Sequence, residues 1–148
     1  MGVLQYDPKQ VSLVLTKSDG KTYILSGFSD DDFIEVERDE DAFMKKTGVD
    51  GQTTRAKNNA RAGKVTVRLM QSSKSNDDLS ALAILDEQSM GGACSLAVSD
   101  KSGSSIFTAD SAWVKKFPKP SFKKDVAAWE WVLDTSELTF IIGGNFAP

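Results

Sequence analysis

The side chains of this sequence that could take part in chemistry are one thiol and several groups of carboxylates. Cys94 is the sole cysteine, and histidine is absent. No imidazole is therefore available to deprotonate the thiol, to act as a general base or to bind a metal ion. Cys94 lies in the alternating segment GGACSLAVSD, which is typical of a small residue buried in a strand. We predict no catalytic residue.

Two acidic runs, Asp30–Asp32 and Asp39–Asp41, offer the oxygen ligands that calcium prefers. Neither run has the central glycine and the distal glutamate of a calcium-binding loop, so solvated loop charges are the better interpretation. The nearby pair Glu35 and Glu37 could in principle do acid–base chemistry, but nothing in the sequence indicates a pocket around it. We predict no metal site and no cofactor.

One basic cluster, Arg55, Lys57 and Arg61, lies in the segment TRAKNNAR. It has three interpretations: a contact with another protein subunit, a solvated loop, or a nucleic-acid contact. Interleaved aromatic residues, which a nucleic-acid surface would favour, are missing here, and the net charge of −3 argues against gripping phosphates. We therefore predict that the cluster contacts another subunit, opposite acidic groups such as Asp30–Asp32.

The elements that must hold these residues are mostly strands. In KVTVRLM, Val65, Val67 and Leu69 alternate with polar residues, and several other segments alternate in the same way. One segment, over about 76–90, has the broad apolar stripe of a helix, and Ser75 with Asp78 three residues later resembles a capping box. For 148 residues, we predict a single mainly β domain: a two-sheet β-sandwich or barrel with one flanking α-helix.

A segment of different character covers about residues 39–62. It has few apolar residues and no sustained period, and it contains two glycines. The composition predicts a long irregular loop that cannot bury enough apolar surface to order itself and that a partner must order. Phe43, Met44 and Val49 are its apolar anchors, so we predict that they contact a neighbouring subunit together with Arg55, Lys57 and Arg61.

The alternation also identifies an acidic outward face. Glu35 and Glu37 are on the other face of their strand from Ile34 and Val36, and Glu130 is on the other face from its two tryptophan neighbours. Glu137 precedes the apolar run that starts at Leu138. Arg68 and Lys64 on a neighbouring strand would partly neutralise this face.

The order of several segments resembles a known family. VTVRLMQSSKSNDDLSALAILDEQ, a Gly-Gly break, a strand ending in SDKSG, and then EWVLDTSELTFIIGGN resemble the tail tube protein of contractile-tailed bacteriophages, from about Val11 to Gly144. The resemblance implies a β-sandwich-like tail-tube domain over residues 1–148. It also implies six copies in a ring and rings stacked into a hollow tube inside a contractile sheath.

The resemblance implies several further properties. The partners would be other copies of the chain, the tail sheath protein, and the tail terminator and baseplate proteins. DNA would pass through transiently without specific binding, and no membrane is involved. The protein would be made in the host cytoplasm and would reside in the virion. The segment 39–62 would reach an adjacent subunit or ring, and the acidic face with Glu35, Glu37, Glu130 and Glu137 would line the lumen.

Two alternatives stay open at the level of the sequence. The first is a tube protein of a phage-like secretion or injection particle, such as a type VI secretion tube, which differs in cargo and not in physics. The second is a small β-barrel enzyme or ligand-binding protein.

Overall fold

The computed structural model describes residues 2–30 and 32–146. Within them the chain forms ten β-strands, a short 3-10 turn and one α-helix, α1 (Ser75–Ser89). The strands are β1 (Val11–Lys17), β2 (Thr22–Ile24), β3 (Ile34–Arg38), β4 (Phe43–Thr47), β5 (Thr53–Lys57), β6 (Gly63–Met70), β7 (Cys94–Asp100), β8 (Ile106–Lys116), β9 (Ala128–Thr135) and β10 (Leu138–Ile141).

Alternation of apolar and polar residues decides which side of each strand is buried. Val65, Val67 and Leu69 of β6 are fully buried, whereas Lys64 and Arg68 on the other face are partly exposed. Strand β9 repeats the pattern with Trp131 and Leu133. The predicted two-residue period is confirmed in both strands.

Eight strands form one antiparallel sheet in the order β2-β1-β7-β8-β9-β6-β3, with β10 also paired to β8. The long strand β8 connects the parts. Its beginning pairs with β10, as in Phe107 with Phe140, and its end pairs with β9, as in Val114 with Leu133. Register shifts in β8 against both β7 and β9 mark bulges, and bulges let a strand bend.

The bent sheet encloses one core. Leu13 of β1 and Val98 of β7 belong to the same buried cluster as Val67 of β6 and Trp131 of β9. The remaining two strands, β4 and β5, form a separate small sheet. The prediction of a mainly β fold with two sheets and one helix is confirmed.

The helix α1 packs its apolar side, Leu79, Leu82 and Ala83, into this core. Asn76 fixes the helix to its surroundings through three good hydrogen bonds: its amide nitrogen donates to the carbonyls of Met70 (3.0 Å) and Ser73 (3.1 Å), and its amide oxygen accepts from the indole nitrogen of Trp131 (2.9 Å). No helix in the part of the chain that the structure describes is long and apolar enough to cross a membrane.

The helix bounds agree with the prediction to within one residue at each end, but the cap at Ser75 was wrong. Ser75 is the first helical residue and is buried, and its hydroxyl accepts a hydrogen bond from the backbone N–H of Ser26 at 2.9 Å. The hydroxyl of Ser73 accepts from the N–H of Ser75 at 3.2 Å. Lys74 is already helical in conformation, so the serine two residues before the helix satisfies its first free donor.

The irregular loop predicted over 39–62 was also wrong in part, because β4 and β5 form a hairpin within it. Gly51 supplies a positive φ of 86° in its turn, and Thr47 and Thr53 are hydrogen-bonded through their hydroxyls at 3.0 Å across the ladder. Every residue of both strands is exposed. With neither face buried, the hairpin has no apolar alternation, and the sequence pattern that identifies strands is absent.

We expect Asn76→Ala to lower the free energy of unfolding by about 2 kcal/mol, because it leaves the buried Trp131 N–H without a partner and removes the side-chain hydrogen bonds to the carbonyls of Met70 and Ser73. Urea unfolding monitored by tryptophan fluorescence measures the change. The exposed helix residue Gln88 provides the control, since Gln88→Ala should change stability by less than about 0.5 kcal/mol. Equal effects of the two substitutions would contradict the role assigned to Asn76.

Candidate assembly surfaces

The outward face of β3, β6 and β9 carries a connected group of charges. The register aligns Glu130 with Arg68, and Glu37 with Lys64. The Arg68 guanidinium lies 3.2 Å from the Glu35 carboxylate and 3.1 Å from that of Glu130. Lys64 lies 3.9 Å from Glu37. These five residues are called the charged face below.

Arg68 is the centre of the charged face. Its guanidinium also donates to the Asp32 carbonyl at 2.8 Å, so a loop preceding β3 is tied to β6. Partial burial would lower the pKa of Arg68, but Glu35 and Glu130 outweigh that effect and raise the pKa. The cation is therefore permanent, and two carboxylates compensate it.

The structure brings together three of the four acidic residues predicted for one face, namely Glu35, Glu37 and Glu130. Glu137 lies instead in the turn between β9 and β10 and is exposed. It forms no ion pair with any residue that the structure describes. Strand alternation placed Glu137 on the outward face of a strand that starts at Glu137. The strand β10 starts at Leu138 and pairs with β8, so Glu137 lies in the turn and away from β3, β6 and β9.

The hairpin β4–β5 carries five of the six residues predicted to contact a neighbouring subunit. Phe43 lies opposite Lys57 in the ladder, and the Arg55 guanidinium lies 4.4 Å from the centre of the Phe43 ring, so these three share a face. Met44 lies opposite Ala56 on the other face, beside an open cleft of about 670 Å³. Val49 is exposed at the turn.

Arg61 is placed differently from the other five. Its side chain donates to the Thr139 hydroxyl at 3.3 Å, and its carbonyl accepts from the N–H of Leu138. Both bonds are within one copy. Arg61 thus fastens the base of the hairpin segment to β10.

The groups considered for chemistry lie apart from one another. Cys94 is buried, and burial raises the pKa of its thiol. Asp30 and Asp32 are exposed, and Asp31 lies outside the described residues. No group of three or more metal-ligating side chains occurs within residues 2–30 and 32–146.

Comparison with known proteins identifies the family to which this chain belongs. The family model of the bacteriophage PhiTE tail tube protein matches residues 6–143 of this chain. The chain belongs to this phage tail tube family. As a tail tube protein it is a structural component of the phage virion. It is also 34% identical over 143 residues to structural protein ORF10 of Pseudomonas phage KPP10, a match that covers 95% of this chain and 83% of that protein.

Solved structures with low sequence identity share the fold. The tail of an empty GTA particle, refined with C6 symmetry, matches with a TM-score of 0.65 at 12% identity and covers 93% of this tail tube protein and 100% of the other chain. A sheath–tube complex of an extracellular contractile injection system, PVC, in the extended state matches with a TM-score of 0.55 at 13% identity, covering 93% and 91%.

We expect Arg68→Met to destabilise this tail tube protein by about 1–2 kcal/mol, because it removes two ion pairs and a hydrogen bond to a backbone carbonyl at a partly buried site. Urea unfolding is the assay. Lys64→Met is the matched control, since the more exposed and longer Lys64–Glu37 pair should contribute about 0.5 kcal/mol or less. A larger loss for Lys64→Met than for Arg68→Met would refute the central position of Arg68.

Proposed function

We propose that six copies of this tail tube protein close into a ring, that rings stack into a hollow tube inside a contractile sheath, and that the tube conducts DNA during ejection. The chain has no catalytic role in this proposal. Its partners are other copies of itself, the tail sheath protein, and the tail terminator and baseplate proteins. The six-fold symmetry of the GTA tail with the same fold supports the ring, and the PVC sheath–tube complex supports the sheath.

The observation that carries the proposal is the hairpin β4–β5. A two-stranded hairpin is at best marginally stable in water when nothing packs against it. Here both of its faces are exposed, and so are Phe43, Met44 and Val49. A second copy that covers these side chains would supply the missing burial. We therefore assign Phe43, Met44, Val49, Arg55 and Lys57 to a contact between subunits, with Arg61 holding the base of the hairpin in place.

The position of the hairpin favours contact between stacked rings. It leaves the sheet where Arg38 pairs with Gly63, and the other end of β6 pairs Met70 with Ala128. An eight-residue strand separates these ends by about 25 Å. A hairpin that projects beyond one end of the sheet would reach the adjacent ring, whereas the edge strands β2 and β3 at the ends of the sheet order are available to neighbours within a ring.

The charged face is our assignment for the lumen. A cation that faces a phosphate adds affinity for DNA by releasing counterions, so a conduit must keep its cations neutralised. Arg68 lies between two carboxylates, and Lys64 is beside a third. Six-fold repetition would multiply this compensated, net negative surface. In this proposal Glu35, Glu37 and Glu130 face the passing DNA, and Glu137 lies at the rim of the same channel.

The alternative function is a tube of an injection particle that carries protein cargo. Such a tube would need the same contacts between copies and would differ only in its cargo. The match to a phage tail tube family favours DNA as the cargo. An enzyme or ligand-binding protein is the weaker alternative, because Cys94, the one thiol, is buried and has no imidazole partner.

We expect the purified protein to form rings or tubes that electron microscopy and sedimentation can detect, and the triple substitution Phe43→Ser, Met44→Ser and Val49→Ser to abolish stacking while leaving the fold intact. The triple variant removes the apolar contacts between rings. Thr54→Ser on the same hairpin is the control and should assemble normally. A wild-type protein that stays monomeric at all concentrations, with the tail initiator components present, would overturn the proposal.

We expect tubes of the double variant Glu35→Gln and Glu130→Gln to retain more DNA than wild-type tubes, because Arg68 then faces the lumen uncompensated. The retention should also fall more steeply with salt. Co-sedimentation of a short fluorescent duplex with assembled tubes measures both. The control makes the same change of charge on the hairpin segment, Glu40→Gln with Asp50→Asn. Equal retention by the two variants would place the charged face outside the lumen.

A further inference from the structure

A lysine-rich loop between β8 and β9, taken together with Lys115 and Lys116 at the end of β8, is no part of the surfaces described so far. Residues 115–124 read KKFPKPSFKK and contain five of the eighteen cationic side chains of the protein. All five lysines are exposed. None of them forms an ion pair with a residue that the structure describes.

An aromatic side chain projects from the middle of this loop. Phe122 is 77% exposed, yet it is held in position, because its ring packs edge-on against Trp129 with 5.8 Å between the ring centres. The Trp129 indole nitrogen donates to the carbonyl of Ser121, and Pro118 and Pro120 restrict the backbone on the other side. Phe122 is therefore a pre-positioned apolar knob with lysines on both sides.

A cleft of matching character lies beside the edge strand β3. It has a volume of about 370 Å³, which is within the range of pockets that hold a buried group. Apolar side chains line most of it, among them Phe33, Val36, Phe107, Phe140 and Ile142. Asp32 is at its rim, and Asp30 is exposed two residues earlier. Neither aspartate side chain is in an ion pair with a described residue.

We propose that Phe122 of one copy inserts into this cleft of a second copy, and that Lys119, Lys123 and Lys124 pair there with Asp30 and Asp32. This pairing replaces the one with Arg55, Lys57 and Arg61 that the sequence suggested for these aspartates. The proposal rests on the ring assembly proposed above and identifies one of its contacts. Because the knob and the cleft are different patches of one chain, the contact is heterologous and can close a ring.

The positions of the two patches along the strands are compatible with a contact between neighbours in one ring. The lysine-rich loop leads into β9 at Ala128, which pairs with Met70 at the end of β6. Asp32 is tied to the same end of the sheet, where its carbonyl accepts from Arg68. Copies related by a rotation keep the same height along the axis. With the strands directed along the tube axis, groups at one end of the strands can therefore meet between neighbours in a ring, while the hairpin at the opposite end would reach the next ring.

The composition of the two patches favours a protein partner over nucleic acid. Lysines interleaved with aromatic residues could also stack on single-stranded bases. An apolar centre enclosed by charges is, however, the usual anatomy of a protein–protein contact, with an aromatic anchor filling a pocket on the partner. The acidic rim of the cleft would repel phosphates and attract the lysines.

Cysteine cross-linking tests the contact directly. We expect a mixture of Phe122→Cys protein with Ile142→Cys protein to give a covalent dimer under mild oxidation, because Ile142 lines the cleft and is 78% exposed. Cys94 gives little background, since it is buried. The control mixture pairs Phe122→Cys with Ile84→Cys on the helix. A dimer yield no higher than that of the control would overturn the proposal. Cross-linking at high protein concentration needs no tube, so this result is separate from a failure of tube assembly.

Charge reversal tests the lysines. We expect Lys119→Glu with Lys123→Glu and Lys124→Glu to raise the protein concentration needed for assembly about tenfold or more, and Asp30→Lys with Asp32→Lys in the same chain to restore assembly. The control reverses three other exposed lysines, Lys9, Lys74 and Lys101. An equal loss in the control, or no rescue, would overturn the pairing. So would binding of a single-stranded oligonucleotide by the wild type that the lysine variant loses while assembling normally.

Discussion

The backbone ladder of β8 is the interaction on which the rest of the structure depends. Buried N–H and C=O groups must be paired, and β8 provides partners for β7 on one side and for both β10 and β9 on the other. Its bulges bend the sheet, so that strands distant in the sheet order contribute to one core. Straightening β8 would separate Leu13 and Val98 from Val67 and Trp131 and leave both groups exposed to water.

Two local arrangements hold the bent sheet closed. Asn76 connects the start of the helix to the Trp131 indole and to the end of β6. At the other end of β6, the Thr135 hydroxyl bonds both the N–H and the carbonyl of Gly63. Gly63 must be a glycine, because a Cβ there would lie 2.5 Å from the Glu37 carbonyl oxygen and 2.6 Å from the Leu138 side chain. Hydrogen bonds of polar groups and the close approach of two backbones at Gly63 therefore fix how the elements around β6 are placed. The apolar core alone would not specify that placement.

The core does not cover everything that is apolar or unpaired. Two edge strands, both faces of the hairpin β4–β5, the knob at Phe122 and the cleft beside β3 remain available. In a soluble monomer such features would favour aggregation. The assembly proposed for this tail tube protein would give them a common explanation, because another copy would cover each of them. The compensated charges around Arg68 are the opposite case, a face suited to staying uncovered.

The sequence by itself determined what depends on neighbouring residues. Residue order alone indicated the alternation in β6 and β9, a helix over about residues 76–90, the absence of an imidazole and the resemblance to a tail tube family. Tertiary structure decided the rest, because the reasons lie in distant residues. The Ser75 hydroxyl accepts a hydrogen bond from the N–H of Ser26 and does not cap its own helix. A turn separates Glu137 from the charged face. The hairpin has no buried side to impose a pattern on its sequence, and the cleft exists only where β3, β8 and β10 come together around a bent sheet.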